Sequence, residues 1–115
     1  AIVKADHGAL EQVLNNLVEN AIKYSSKNSK IDIKLRKQDD FYRVSILDSG
    51  SGLTPEESTL VFNRFYRTAK ARAESKQGSG LGLAIVKHLV NQLGGEVGVM
   101  PRKNGGSRFW FTLKT

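Results

Sequence analysis

The stretch Asp48-Ser49-Gly50-Ser51-Gly52-Leu53 closes an alternating run in which Tyr42, Val44 and Ile46 face one way and Arg43, Ser45 and Leu47 the other. A period of two reads as a strand, so Asp48 stands where a strand stops and a turn begins. A carboxylate in that place can accept a hydrogen bond from an exocyclic amine. Gly50 and Gly52 allow positive φ and let a flat ring approach the backbone closely, which a Cβ would prevent. Further along, Gly78-Ser79-Gly80-Leu81-Gly82-Leu83 runs straight into a helical pattern. Glycines at a helix start leave N–H groups unpaired, and these together with the helix dipole favour phosphate oxygens. The two stretches can therefore build the two ends of a nucleotide pocket. The spacing is not that of other phosphate loops: position 83 is Leu, so GxGxxG fails, and no GK[ST] follows. Taken alone, each stretch is also what an ordinary turn or a tight loop looks like, and their order and company carry the argument.

A chain of 115 residues suffices for one domain with one core and is too short for two. No stretch approaches the ~20 apolar residues of a membrane span, and none reads as a signal peptide. The absence of cysteine excludes disulfides and thiolate metal sites, and fits a reducing compartment. Net charge is +7, from 18 Lys and Arg against 11 Asp and Glu. That balance permits nucleic acid, an anionic membrane or a polyanionic small molecule without choosing among them. The basic residues are spread out, and no aromatic-interleaved basic strand of the RNA-binding type is present. Arg64, Arg67, Lys70, Arg72 and Lys76 form one local concentration, faced only by Glu74.

Asp6 is a candidate N-cap for a long helix to about Tyr24, with Leu10, Val13, Leu14, Leu17, Val18, Ala21 and Ile22 at helical spacing. Asn16, Asn20 and Lys23 stand one turn apart on the border of that apolar stripe. An amide oxygen there can complete an octahedral Mg²⁺ shell made otherwise of water and phosphate, and a neighbouring Lys can reach the phosphates. A solvated polar flank is the plain alternative. Ile31, Ile33 and Leu35 then alternate with Asp32, Lys34 and Arg36, and Asp39-Asp40 turns the chain into the strand ending at Asp48. This predicts an antiparallel hairpin with one buried face. Thr54-Pro55-Glu56-Glu57 has the form of a capping box and predicts a short helix over residues 55–62. Residues 63–77 hold small and basic side chains with few core candidates beyond Phe65, the composition of a mobile segment. A second amphipathic helix follows from Leu81, with Leu83, Ile85, Val86, Leu89, Val90 and Leu93, stopped by Gly94-Gly95. A strand over residues 96–100, a turn at Asn104-Gly105-Gly106 and a last strand through Phe109, Phe111 and Leu113 complete the chain. The order predicts an α/β fold: a two-layer sandwich in which both long helices cover one face of a mixed sheet.

These residues resemble the catalytic, ATP-binding domain of two-component sensor histidine kinases, a family that shares its fold with the ATPase domains of gyrase, MutL and the heat-shock chaperone. Leu14-Asn15-Asn16-Leu17-Val18-Glu19-Asn20-Ala21-Ile22-Lys23-Tyr24-Ser25 looks like the N box, and Asp48 to Leu53 like the G1 box. Val61-Phe62-Asn63-Arg64-Phe65-Tyr66-Arg67 resembles the F box, and Gly78 to Val86 the G2 box. The four boxes stand in the right order and cover most of the chain.

The resemblance implies that Asn20 ligates Mg²⁺, with Asn16 one turn before it, and that Lys23 and Tyr24 lie along the nucleotide toward the phosphates and the adenosine. Asp48 would accept from the adenine amine beside Gly50 and Gly52. Arg67, and with it Arg64, would reach the γ-phosphate from a mobile ATP lid over about residues 54–77, anchored by Phe62 and Phe65. Gly78, Ser79, Gly80, Leu81, Gly82 and Leu83 would bring backbone amides to the phosphates. Asn16, Lys23 and Arg67 are the expected catalytic set. Asn16 stands where hydrolytic relatives carry a water-activating Glu, and an amide cannot accept a proton, so fast hydrolysis is not expected. Glu19 points about 100° away from Asn20 around the helix.

The phosphate-accepting histidine of this family lies in a separate dimerisation domain. His7, followed by Gly8, and His88, beside Lys87, do not match its motif and read as surface residues. The expectation is one catalytic domain over residues 1–115 without the dimerisation domain. It would be a monomer that binds ATP and Mg²⁺ but does not phosphorylate itself. Its partners would be the dimerisation domain and, downstream, a response regulator, with no nucleic acid. It would be cytoplasmic, with a parent protein anchored in the bacterial inner membrane. A pseudokinase or regulatory module acting by partner binding is the alternative, and a basic nucleic-acid-binding domain is the third reading.

Overall fold

The computed structural model describes residues 7–25, 29–50, 52–66, 81–103 and 105–114. The elements are α1 (His7–Tyr24), β1 (Asp32–Gln38), β2 (Phe41–Leu47), α2 (Pro55–Leu60), α3 (Gly82–Gln92), β3 (Val97–Pro101) and β4 (Ser107–Lys114). The expected Asp6 cap and most of the expected lid, residues 67–77, lie outside the described residues.

The strands form one four-stranded sheet in the order β1-β2-β4-β3. Two hairpins, β1–β2 and β3–β4, meet along β2 and β4, with Val44 opposite Phe111 and Ile46 opposite Phe109. Helices α1 and α3 pack side by side, α1 over β2 and α3 over β3 and β4. The two-layer sandwich is as expected. All three pairings are antiparallel, so the parallel pair that a mixed sheet requires does not occur among the described residues.

The core follows from the two periodicities. Val13, Leu17 and Ala21 of α1 and Val86 and Val90 of α3 meet Val44, Ile46, Phe109, Phe111 and Leu113 of the sheet. α2 carries the capping box read from its sequence: Glu57 N–H donates to Thr54 Oγ1 at 3.1 Å, and Thr54 N–H to Glu57 Oε1 at 3.0 Å. α3 ends as read, with Gly94 at φ 81° and Gly95 N–H donating to the Val90 oxygen at 3.0 Å.

Three apolar expectations are corrected. Ile33 and Leu35, opposite Ile46 and Val44 in register, are 58% and 61% exposed, because β1 is the edge strand and the helix layer sits over β2, β4 and β3. Ile22 is also exposed, since it lies on the flank of α1 turned away from Asn16 and α3. Phe65 is 63% exposed and adopts φ 65°, so among the described residues it does not enter the core. Phe62 does anchor: its ring packs edge-on against Phe109, centroids 6.2 Å apart.

Candidate functional site

Asp48 is the first residue beyond β2, and it is held from three directions although only 4% exposed. Its Oδ1 accepts from Gly50 N–H at 3.0 Å and from Ser107 N–H at 3.2 Å. Its main-chain N–H donates to the Ser107 oxygen at 3.0 Å, and its main-chain oxygen accepts from Arg102 Nη1 at 2.7 Å. One carboxylate oxygen thus builds the loop, while Oδ2 takes no hydrogen bond from any described residue. A buried carboxylate whose second oxygen meets no described donor is able to accept one from a ligand.

The loop after Asp48 lies on the turn between β3 and β4. Gly52 has φ 76°, and a Cβ there would stand 3.2 Å from the Gly106 oxygen. Gly106, at φ 88°, is packed so closely on Asp48 that a Cβ would collide with the Asp48 carbonyl. Arg102, Gly106 and Ser107 are therefore parts of the site that the sequence reading missed. They lie more than fifty positions from Asp48, and the only signal pointing to them was the turn Asn104-Gly105-Gly106.

The other end of the site is the start of α3. Leu81 occupies the N-cap position and offers no side-chain cap among the described residues, in contrast to α2 with its capping box. The first-turn N–H groups of α3 therefore take no side-chain acceptor from their N-cap residue. A Cβ on Gly82 would meet no described residue within 4 Å. The Leu83 side chain packs against the core, which leaves its amide as its contribution.

α1 joins the two ends. Asn16 Nδ2 donates to the Gly82 oxygen at 3.4 Å, so the Asn16, Asn20 and Lys23 side of α1 faces the start of α3, all three side chains being half-buried. The Asn20 amide makes no hydrogen bond to a described residue. The plain reading, a solvated polar flank, does not hold for Asn16, which is tied to α3. The Tyr24 side chain, Arg67, Gly78, Ser79 and Gly80 lie outside the described residues. Arg64 lies with its guanidinium 5.3 Å from the Phe65 ring. His7 and His88 are exposed, as expected. Among the described residues no three His, Asp or Glu side chains gather to hold a metal.

This geometry agrees with comparisons to known proteins. The profile of the histidine kinase-, DNA gyrase B- and HSP90-like ATPases matches residues 5–115. The sensor-like histidine kinase SenX3 of Mycobacterium tuberculosis is 40% identical over 111 residues, which are 96% of this chain and 27% of SenX3. The chain thus spans about a quarter of that relative's length. Among solved structures, the mycobacterial sensor histidine kinase MprB superposes with a TM-score of 0.90 at 36% identity, over 97% of this chain and 76% of that one. Full-length ShkA, solved in complex with AMPPNP, gives 0.82 at 33% identity, over 96% and 22%. The chain belongs to the histidine kinase-, DNA gyrase B- and HSP90-like ATPase family, on its sensor histidine kinase branch.

Proposed function

We propose that this ATP-binding domain takes ATP with Mg²⁺ and transfers the γ-phosphoryl group to a histidine on a separate dimerisation domain, in a pathway that continues to a response regulator. The observation that carries the reading is Asp48: it is buried and fixed through Oδ1, with Oδ2 left to accept from the adenine 6-amino group. The start of α3, where Leu81 gives no side-chain cap and a Cβ on Gly82 would meet no described residue, supports phosphate binding at the opposite end. ShkA, which shares the fold, was solved with an ATP analogue.

Mg²⁺ fits the donor set. It takes one or two protein oxygens and completes its shell with phosphate and water, and the half-buried amide of Asn20, which bonds to no described residue, offers one such oxygen on the side of α1 that meets the start of α3. When bound, the ion supplies charge neutralisation on the phosphates. Asn16 ties the metal-bearing helix to the phosphate-bearing one, and Lys23 adds positive charge from the last turn of α1. Arg67 and the amides of Gly78, Ser79 and Gly80 complete the proposal from the lid and the glycine loop. The γ-phosphorus bonds to an imidazole nitrogen of the partner histidine as its bond to the β–γ bridging oxygen breaks, and ADP leaves. With Asn16 in place of a carboxylate, no side chain there activates water, so transfer outruns hydrolysis.

The test is phosphotransfer in trans. The domain, loaded with γ-labelled ATP and Mg²⁺, should label an added dimerisation domain of the same kinase. Persistent failure with ATP bound would favour a regulatory module that acts by binding. The parent protein's membrane anchoring is part of the same proposal; among the described residues no helix is long and apolar enough to cross a membrane.

A further inference from the structure

The face of the sheet turned away from the helices carries an excess of cations. The register sets Lys34 opposite Ser45, Arg36 opposite Arg43 and Arg108 opposite Leu47, all on that face, with Lys114 at its rim. Asp32 is the acid within the same rows, and Glu96 lies at the margin beside Thr112. No described carboxylate pairs with Lys34, Arg36, Arg43 or Arg108.

Two details separate this face from an ordinary solvated surface. Arg36 and Arg43 are direct cross-strand neighbours, a like-charge pair that costs stability and that nothing in the core requires. Arg43 is also pre-set: its guanidinium lies 4.7 Å from the centroid of the Trp110 ring, and Trp110 itself fills the space over Gly98 where a Cβ would stand. The stack buries Nε without a partner and leaves the two terminal nitrogens to meet a ligand. A guanidinium held in one plane is suited to a two-pronged bond with a planar carboxylate.

We propose that this face docks an acidic protein helix, through carboxylates one helical turn apart. Such carboxylates stand about 5–6 Å apart at Cβ, close to the spacing of two cross-strand neighbours such as Arg36 and Arg43. The observations favour protein carboxylates over nucleic acid, because Trp110 is taken up by Gly98 and Arg43 and offers no free face for a base to stack on. They also disfavour a bilayer: among the described residues Met100, opposite Arg108 and 52% exposed, is the one strongly exposed large apolar side chain on this face, and a single side chain on the edge strand β3 is too little apolar surface to insert. The surface is independent of the nucleotide pocket, which lies at the end of β2 and the start of α3.

The experiment is fluorescence anisotropy of a labelled synthetic helical peptide with Glu pairs at i and i+4, titrated with the intact chain under saturating ATP and Mg²⁺ so that cations around the pocket are occupied. Arg36→Glu on the exposed edge strand, and separately Arg43→Gln, should each weaken binding at least tenfold. Lys87→Glu, the same charge change on an exposed residue of α3, should alter it less than twofold. Circular dichroism confirms the fold of each variant. Absence of binding overturns the proposal. So does an equal loss in Lys87→Glu, which would mark mere net charge. Tighter binding of anionic vesicles or of a single-stranded oligonucleotide, with the same dependence on Arg36 and Arg43, overturns it in favour of a membrane or nucleic-acid surface.

Discussion

Arg102 Nη1 donates a 2.7 Å hydrogen bond to the main-chain oxygen of Asp48, so the turn between the last two strands clamps the strand end that carries the Asp48 carboxylate. Ser107 completes the clamp by exchanging main-chain bonds with Asp48 and donating to its Oδ1. The end of the site proposed for adenine is thus a joint of two distant segments, and its precision depends on both.

Removing the clamp should loosen recognition without unfolding the chain. A hydrogen bond with one charged partner contributes about 1.5–3 kcal/mol when fully buried, and about 1 kcal/mol is reasonable for this half-buried one. Arg102→Met should therefore weaken ATP binding roughly fivefold in calorimetry with an unchanged circular dichroism spectrum. Arg102→Lys, which keeps a donor, should recover part of the loss.

The glycines divide into two kinds. Gly106 has φ 88° and no room for a Cβ beside the Asp48 carbonyl, so Gly106→Ala should cost at least about 2 kcal/mol in urea unfolding. Gly82 has neither constraint. Gly82→Ala should leave stability within about 0.5 kcal/mol of the parent and should instead weaken ATP, because the methyl group enters the space over the first-turn amide.

The two phenylalanines flanking Arg64 should behave oppositely. Phe62 packs on Phe109 and the core, and Phe62→Ala should cost about 2 kcal/mol, less than a fully buried Phe because Phe62 is half-buried. Phe65 is mostly exposed with φ 65°. Phe65→Gly should be neutral or stabilise by up to about 1 kcal/mol in the same unfolding assay, since glycine accepts that backbone without strain.

Asn20 gives a metal-specific prediction. If its amide oxygen meets Mg²⁺, Asn20→Ala should bind ATP equally with Mg²⁺ and with EDTA, whereas the parent chain should bind more tightly with Mg²⁺. A retained Mg²⁺ enhancement in the variant would remove Asn20 from the metal site.

Much of this was legible because it is local. The 3.6-residue stripe of α1, the alternation of β2 and β4 and the Thr54–Glu57 box are short-range patterns, and each forms where it was read. The lateral order of strands is not written in those patterns, and this is why Ile33 and Leu35 looked like core: alternation reports that a strand has two faces, not that a helix reaches over it. The same holds for the site. Asp48, Asn16 and Gly82 were found from motif spacing, whereas Arg102, Gly106 and Ser107 reach Asp48 only through the β2–β4 pairing. The Arg36–Arg43 juxtaposition is likewise a property of register.

The most direct measurement is the nucleotide preference of Asp48→Asn. Asparagine keeps an oxygen for the Gly50 and Ser107 amides and places an NH₂ where Oδ2 stood, so a donor meets the adenine amine and a buried pairing is lost. Calorimetry should show ATP affinity falling at least tenfold and the ratio of GTP to ATP affinity rising, in a protein whose unfolding midpoint is little changed. Unaltered ATP affinity in the folded variant would contradict the account, because the base would then be held somewhere other than the end of β2.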